Sequence, residues 1–246
     1  MRNLENVRMR HLNNEIMGDW GLRVLMTAVL ISHFLISSFS QSPTLKQWRD
    51  SVSVLIGQID KQPNNIDLRL KKAEANINLS QYDYAIDEYS KVLKQDERNL
   101  AALYFRAFCH TQLRHYDMAR ADYDAFLAIQ PEHLEAHLGR AHILQLLNRR
   151  TDAADELNRC VQMFPDSADA YSARAAFETE LRQYDAAIYD WDEALRLRPQ
   201  DASLTASKAD ALLRQGNKQK ARQALDMGVK RGIPRAALKE WYDKCK

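Results

Sequence analysis

The stretch YSARAAFETELRQYDAAIYDWDEALRLRP (171–199) decides the fold. It holds an alanine at 175, another at 187 and a proline at 199, and each returns at one fixed step along the chain. The first column is Ala73, Ala107, Ala141, Ala175 and Ala209; the second is Ala85, Ala119, Ala153, Ala187 and Ala221. The third is Pro63, Pro131, Pro165 and Pro199, with Glu97 in the one gap. The step is 34 residues with no insertion, so the chain is a tandem repeat. Within each unit, apolar residues three and four apart mark two amphipathic helices. Tyr82, Tyr116 and Tyr184 share a place in the turn between them. The proline ends the second helix, because it lacks a donor and restricts the residue before it. Units of this kind contact only their neighbours and build extended binding surfaces, which points to binding rather than catalysis.

Bulk composition agrees. Among 246 residues there are only 7 Gly and 6 Pro, too few turn signals for a many-stranded sheet. Alanine, plentiful in the repeats, is the best helix former and lets helices approach closely. The net charge of +2, with no polybasic run interleaved with aromatics, argues against nucleic acid as a partner. Cys109, Cys160 and Cys245 are an odd number without CxxC spacing. They read as small apolar core residues, with no disulfide between Cys109 and Cys160. No nucleotide, zinc-protease or nucleophile-elbow motif occurs, so no catalytic residue, metal or cofactor is assigned. His133, His137 and His142 lie close together but lack the Asp, Glu or Cys that would complete a zinc set.

The N-terminus differs. Residues 24–45 carry no Lys, Arg, Asp or Glu, with Arg23 just before them. The apolar heart VLMTAVLISHFLISSF (24–39) ends in a small-x-small pattern at Ser38 and Ser40. Residues 1–40 read as a signal peptide cleaved at Ser40/Gln41, giving an exported, extracytoplasmic (periplasmic or secreted) protein. The alternative is an uncleaved anchor, with membrane association through residues 22–40; the run is short for a span of about 20 residues. Met17 is an alternative start to Met1.

Five units follow in register: 66–99, 100–133, 134–167, 168–201 and 202–235. On these residues the chain resembles the tetratricopeptide repeat family, whose period is about 34 residues. The resemblance implies an all-α, right-handed α-solenoid of antiparallel helix pairs, with capping helices over 41–65 and 236–246. Trp48 and Trp241 are accounted for by those caps. The family's tryptophan early in the first helix is replaced by Arg69, Leu103, His137, Tyr171 and Thr205, and the turn glycine survives only at Gly216.

The resemblance also implies a concave groove lined by the first helices. There Leu70, Glu74, Tyr104, Phe108, Leu138 and His142 are the expected partner-binding residues, with exposed rings at Tyr104 and Phe108 as its centre. The Lys and Asn clamp of chaperone-binding relatives is absent, since Leu70, Tyr104 and Leu138 hold the matching places. A basic column (Lys72, Arg106, Arg140, Arg174, Lys208) is matched 16 residues on by Glu88, Asp122, Glu156 and Asp190, lapsing at Ala224. The match favours structural ion pairs over an anion-binding stripe, because a partly buried Arg needs a partner. The expected function is a protein–protein interaction scaffold or adaptor of the cell envelope, binding a protein or peptide. Alternatives are a membrane-anchored accessory subunit of an envelope complex, or an enzyme with an unfamiliar site.

Overall fold

The computed structural model describes residues 43–246, which form twelve α-helices, one 3-10 turn and no strand. The leader expected over residues 1–40 lies outside the described residues. One compact unit ends at Pro165 and another runs from Asp166 to Lys246. The first holds α1 (Leu45–Lys61), α2 (Ile66–Asn78), α3 (Tyr82–Gln95), α4 (Leu100–Gln112), α5 (Tyr116–Ile129), α6 (Leu134–Leu146) and α7 (Arg150–Met163). The second holds α8 (Ala168–Glu180), α9 (Tyr184–Leu197), α10 (Ala202–Arg214), α11 (Lys218–Lys230), a 3-10 turn (Arg235–Leu238) and α12 (Lys239–Lys244).

The local chemistry repeats with the sequence. Each first helix opens on a side-chain cap at one column: Asn65, Asn99, His133, Ser167 and Asp201. Each accepts a backbone N–H three residues on, satisfying a donor that the first turn leaves unpaired. The first helices end on residues with positive φ: Ser80, Arg114, Asn148, Arg182 and Gly216. The next residue's N–H returns to a carbonyl five residues back, as from Gln81 to Asn76 and from His115 to His110, both at 2.8 Å. This left-handed closure turns the chain sharply into the second helix.

The helices of each pair pack directly, as do successive pairs within a unit. Both alanine columns are wholly buried, and their small side chains set the close helix approach. Larger residues fill the seams: Tyr89, Val92, Tyr123 and Phe126 in the first unit, Trp191, Leu195 and Leu225 in the second. Gly139 marks the tightest place. A Cβ there would stand 2.6 Å from Cζ of Tyr123.

The two termini are built differently. Helix α1 is capped reciprocally by Thr44 and Gln47. It occupies the register of a second helix, with Leu55 and Ile59 buried 34 residues before Tyr89 and Leu93. Ser51, Val54 and Gln58, which precede the buried Ala85, Glu88 and Val92 by the same step, are exposed. At the other end one helix was expected over 236–246, but the segment starts as a 3-10 turn behind Pro234, and the α-helix covers only Lys239–Lys244. Leu238, Trp241 and Tyr242 close the last repeat by packing with Ala209, Leu212 and Leu225. The outward residues Lys239, Glu240, Asp243 and Lys244 are charged, as a solvated cap requires.

Candidate interaction face

The charge columns form a ladder inside the helix pairs. Lys72 Nζ meets Glu88 at 3.0 Å, and Arg69 adds a second bond at 2.9 Å. Arg106 grips Asp122 through Nε at 2.8 Å and Nη2 at 2.6 Å. Arg174 does the same to Asp190, at 2.6 and 2.8 Å. Arg140 binds both oxygens of Glu156 and reaches back to Asp124 at 3.0 Å. Lys208, whose own repeat has Ala224 in place of the acid, reaches back to Asp192 at 2.5 Å. The four column acids are all buried. Burial alone would raise the Glu88 carboxyl, but hydrogen bonds from Lys72, Arg69 and Lys91 outweigh it and hold the group below the ordinary range. Glu156 is held down likewise by His137 and Arg140. These cations are committed to structural pairs, so the column is no stripe for an anionic ligand.

The expected centre of the groove requires correction. The Tyr104 side chain is only 4% exposed and Phe108 8%. The Tyr104 ring sits among Phe105, Tyr123, Phe126 and His133, with centroids 5.3–5.9 Å away. Burial pushes its hydroxyl well above the ordinary range. Phe108 packs edge-on against Tyr82 at 6.1 Å, and Leu138 is buried too. The physical reason is packing against the second helices: Tyr123 and Phe126 of α5, with His133, enclose Tyr104, and Tyr82 of α3 covers Phe108, so both rings belong to the seam. Leu70, Glu74 and His142 are partly buried on the same helices. Burial pushes the His142 imidazole down to about 4.

What stays open is the last turn of each first helix. Asn78, Gln112 and Leu146, one repeat apart, are exposed on α2, α4 and α6. They give a mainly polar face with one apolar member. The family resemblance places Asn78, Gln112 and Leu146 in the groove-lining columns of the same helices, and their exposure makes them the accessible row.

A second feature went unnoticed. The column Asn76, His110, Leu144, Glu178, Leu212 places polar groups where its apolar members are buried. Asn76 Nδ2, His110 Nδ1 and Glu178 Oε2 are buried without a hydrogen-bond partner. Burial, helped by the charge of Asp190, pushes Glu178 up to about 7. Its signal in the sequence was the alternation of polar and leucine residues down one column. Among the described residues no cluster of three or more His, Cys, Asp or Glu could hold a metal ion. Cys109 and Cys160 are buried thiols, the latter pushed up to about 12 by burial.

Comparison with known proteins gives the class. A family model for the tetratricopeptide repeat matches residues 110–168, 141–202 and 172–237, together just over half of the chain. The chain belongs to the tetratricopeptide repeat family, whose helix pairs and 34-residue register it shares. It is 28% identical over 203 residues to the human mitochondrial import receptor subunit TOM70, covering 71% of this chain and 33% of that one. It is 32% identical over 127 residues to the DnaJ protein P58IPK homolog B of Oryza sativa subsp. japonica, covering 52% of this chain and 26% of that one. The chain thus spans a quarter to a third of these relatives' length.

A tetratricopeptide repeat protein from Parabacteroides merdae superposes with a TM-score of 0.68 at 22% identity, over 82% of this chain and 80% of that one. YrrB, described as a TPR protein with an unusual peptide-binding site, superposes at 0.55 and 15% identity, over 77% and 97%. At these identities the superpositions speak for the fold alone.

Proposed function

We propose that this protein is a non-enzymatic interaction scaffold of the cell envelope that binds a protein or peptide across the first helices of its repeats. The observation that carries the reading is the open row Asn78, Gln112 and Leu146. It is flanked by the partly buried Glu74 and His142 and lies on a closely packed, salt-bridged frame. An extended ligand is met by regularly spaced donors and acceptors, and Leu146 supplies an apolar anchor at one end. YrrB's description as a peptide-binding protein and TOM70's as a receptor subunit support a protein ligand. The envelope location rests on the apolar run 24–39, with export and cleavage after Ser40 as the favoured form.

The test uses a photo-crosslinking residue at Gln112, and as control one at Met118, exposed on the adjacent second helix. A partner captured at Gln112 but not at Met118, whose binding Leu146→Asp weakens about tenfold in a folded protein, supports the reading. Capture at Met118 alone, or unchanged binding by Leu146→Asp, refutes it. N-terminal sequencing from the native host tests the location: a chain starting near Gln41 supports export, and a cytosolic full-length chain opposes it.

A further inference from the structure

Four of the five first helices are capped by a side chain that does not gain a proton near neutrality: Asn65, Asn99, Ser167 and Asp201. Helix α6 is capped by an imidazole. His133 Nδ1 accepts the backbone N–H of Ala136 at 3.2 Å, which requires that nitrogen to be unprotonated, with the ring proton on Nε2.

The surroundings bear on one another. From α5, the Phe126 ring stands edge-on to His133 at 4.8 Å; from α4, Tyr104 stands at 5.9 Å. From α6 itself, the Glu135 carboxylate lies 3.4 Å from the same Nδ1. His137 lies one turn on, with Nδ1 2.5 Å from Glu156 and Nε2 2.7 Å from the carbonyl of Pro131. Both of those partners accept hydrogen bonds, so the His137 ring satisfies both only when each nitrogen carries a proton. Two neighbouring imidazoles therefore have opposite requirements: one is held by acceptors on both sides, and the other must accept.

We infer that His133 makes the start of α6 a proton-releasable cap: a solvent proton taken up at Nδ1 turns the acceptor of the Ala136 N–H into a donor facing Glu135. The hydrogen bond to Ala136 is lost and one to Glu135 replaces it. The first turn of α6 is then left with an unpaired N–H and a positive charge at the helix end that disfavours one. Burial among the rings, with the neighbouring His137, outweighs the pull of Glu135 and keeps the proton off at neutral pH. The switch therefore operates in mild acid. Helix α6 also carries Leu138, His142 and Leu146, so acid would loosen one wall of the interaction face; this last consequence rests on the function proposed above.

The experiment measures amide hydrogen exchange at Ala136 in the full chain at about pH 7.5 and 5, corrected for intrinsic exchange, with His133→Asn as comparison. That variant installs the cap used at Asn65 and Asn99. The wild type should lose about tenfold in protection at Ala136 in acid, the size of one lost cap, while the variant holds its protection. An equal loss in both proteins, or none in the wild type, overturns the inference. A second readout in the wild type covers poor folding of the variant. The His133 ring and the Ala136 amide should titrate with one midpoint below that of an ordinary histidine, and unlinked titrations overturn the inference. Neither readout needs a ligand, so failure of the cap and failure of the binding proposal are told apart.

Discussion

Tyr242 donates a hydrogen bond from its hydroxyl to Asp226 at 2.7 Å, 16 residues back along the chain. Lys208 reaches Asp192, Arg140 reaches Asp124 and Arg106 reaches Ser90 across the same offset. Tyr242 thus stands where a sixth repeat would place its basic residue, and the C-terminal segment continues the ladder in a neutral form. Each rung ties a first helix back to the second helix of the preceding pair, while the forward pairs, such as Arg106 to Asp122, tie it to its own. The ladder is therefore a register device as well as a set of ion pairs.

Breaking a forward rung should be costly. Arg106→Ala leaves Asp122 buried with its bidentate partner gone, and about 3–5 kcal/mol of stability should be lost in urea unfolding. Arg106→Lys should recover only part of this, because an ammonium cannot reproduce the two-pronged grip. A double-mutant cycle with Asp122→Asn checks the coupling. Near-additive losses would show that the pair contributes through packing alone.

The left-handed turn residues predict gains. Arg114 and Arg182 hold φ near +60°, a conformation that costs a side-chain-bearing residue about 1 kcal/mol relative to glycine. Arg114→Gly and Arg182→Gly should each raise the unfolding midpoint, whereas Gly216→Ala, at φ +88°, should lower it. Thermal melts of the three variants decide the matter.

Gly139 and Tyr123 should be strongly coupled. Gly139→Ala drives a methyl into the Tyr123 ring and should cost about 1–3 kcal/mol. One repeat later the same two columns hold Leu157 and Ala173. Adding Tyr123→Leu to Gly139→Ala should therefore restore part of the loss, which a four-protein cycle measures as a coupling energy.

Two partly buried groups should give opposite pH slopes. His142 is held down to about 4, so below about pH 6.5 the unfolded chain binds a proton that the folded chain refuses, and stability falls with acid. Relative to His142→Gln, the wild type should lose about 2 kcal/mol between pH 7 and 5. Glu178 is raised to about 7, so the unfolded chain releases its proton first and stability falls as pH rises from about 4.5 through 7. Glu178→Leu, the residue found at 144 and 212, should remove that slope and stabilise the protein at pH 8 by about 1–2 kcal/mol. Parallel slopes in wild type and variants would contradict the assignment.

The fold was legible because its determinants are local and periodic. The alanine columns fix the helix approach, and Pro131, Pro165 and Pro199 follow the ends of second helices. The ion-pair ladder could be read because both partners recur at one offset. The aromatic centre could not. Tyr104 and Phe108 occupy columns that the family resemblance marks as open, and only packing against Phe126, His133 and Tyr82 buries them. That depends on three-dimensional neighbours that spacing does not name. The cap at His133 was hidden for a similar reason: histidine is a rare N-cap, and the reading of His133, His137 and His142 stopped at metal binding. At the C-terminus, Pro234 shortened a helix that hydrophobic spacing alone had extended.

The most direct test of the central claim is a hydrogen–deuterium exchange footprint of the full chain with and without its cross-linked or purified partner. Binding across the first helices predicts slowed exchange in the last turns of α2, α4 and α6, around Asn78, Gln112 and Leu146. It also predicts no change on the outer faces of α3 and α5, where Tyr84 and Met118 stand exposed. Protection confined to those outer faces, with the first helices unchanged, would contradict it.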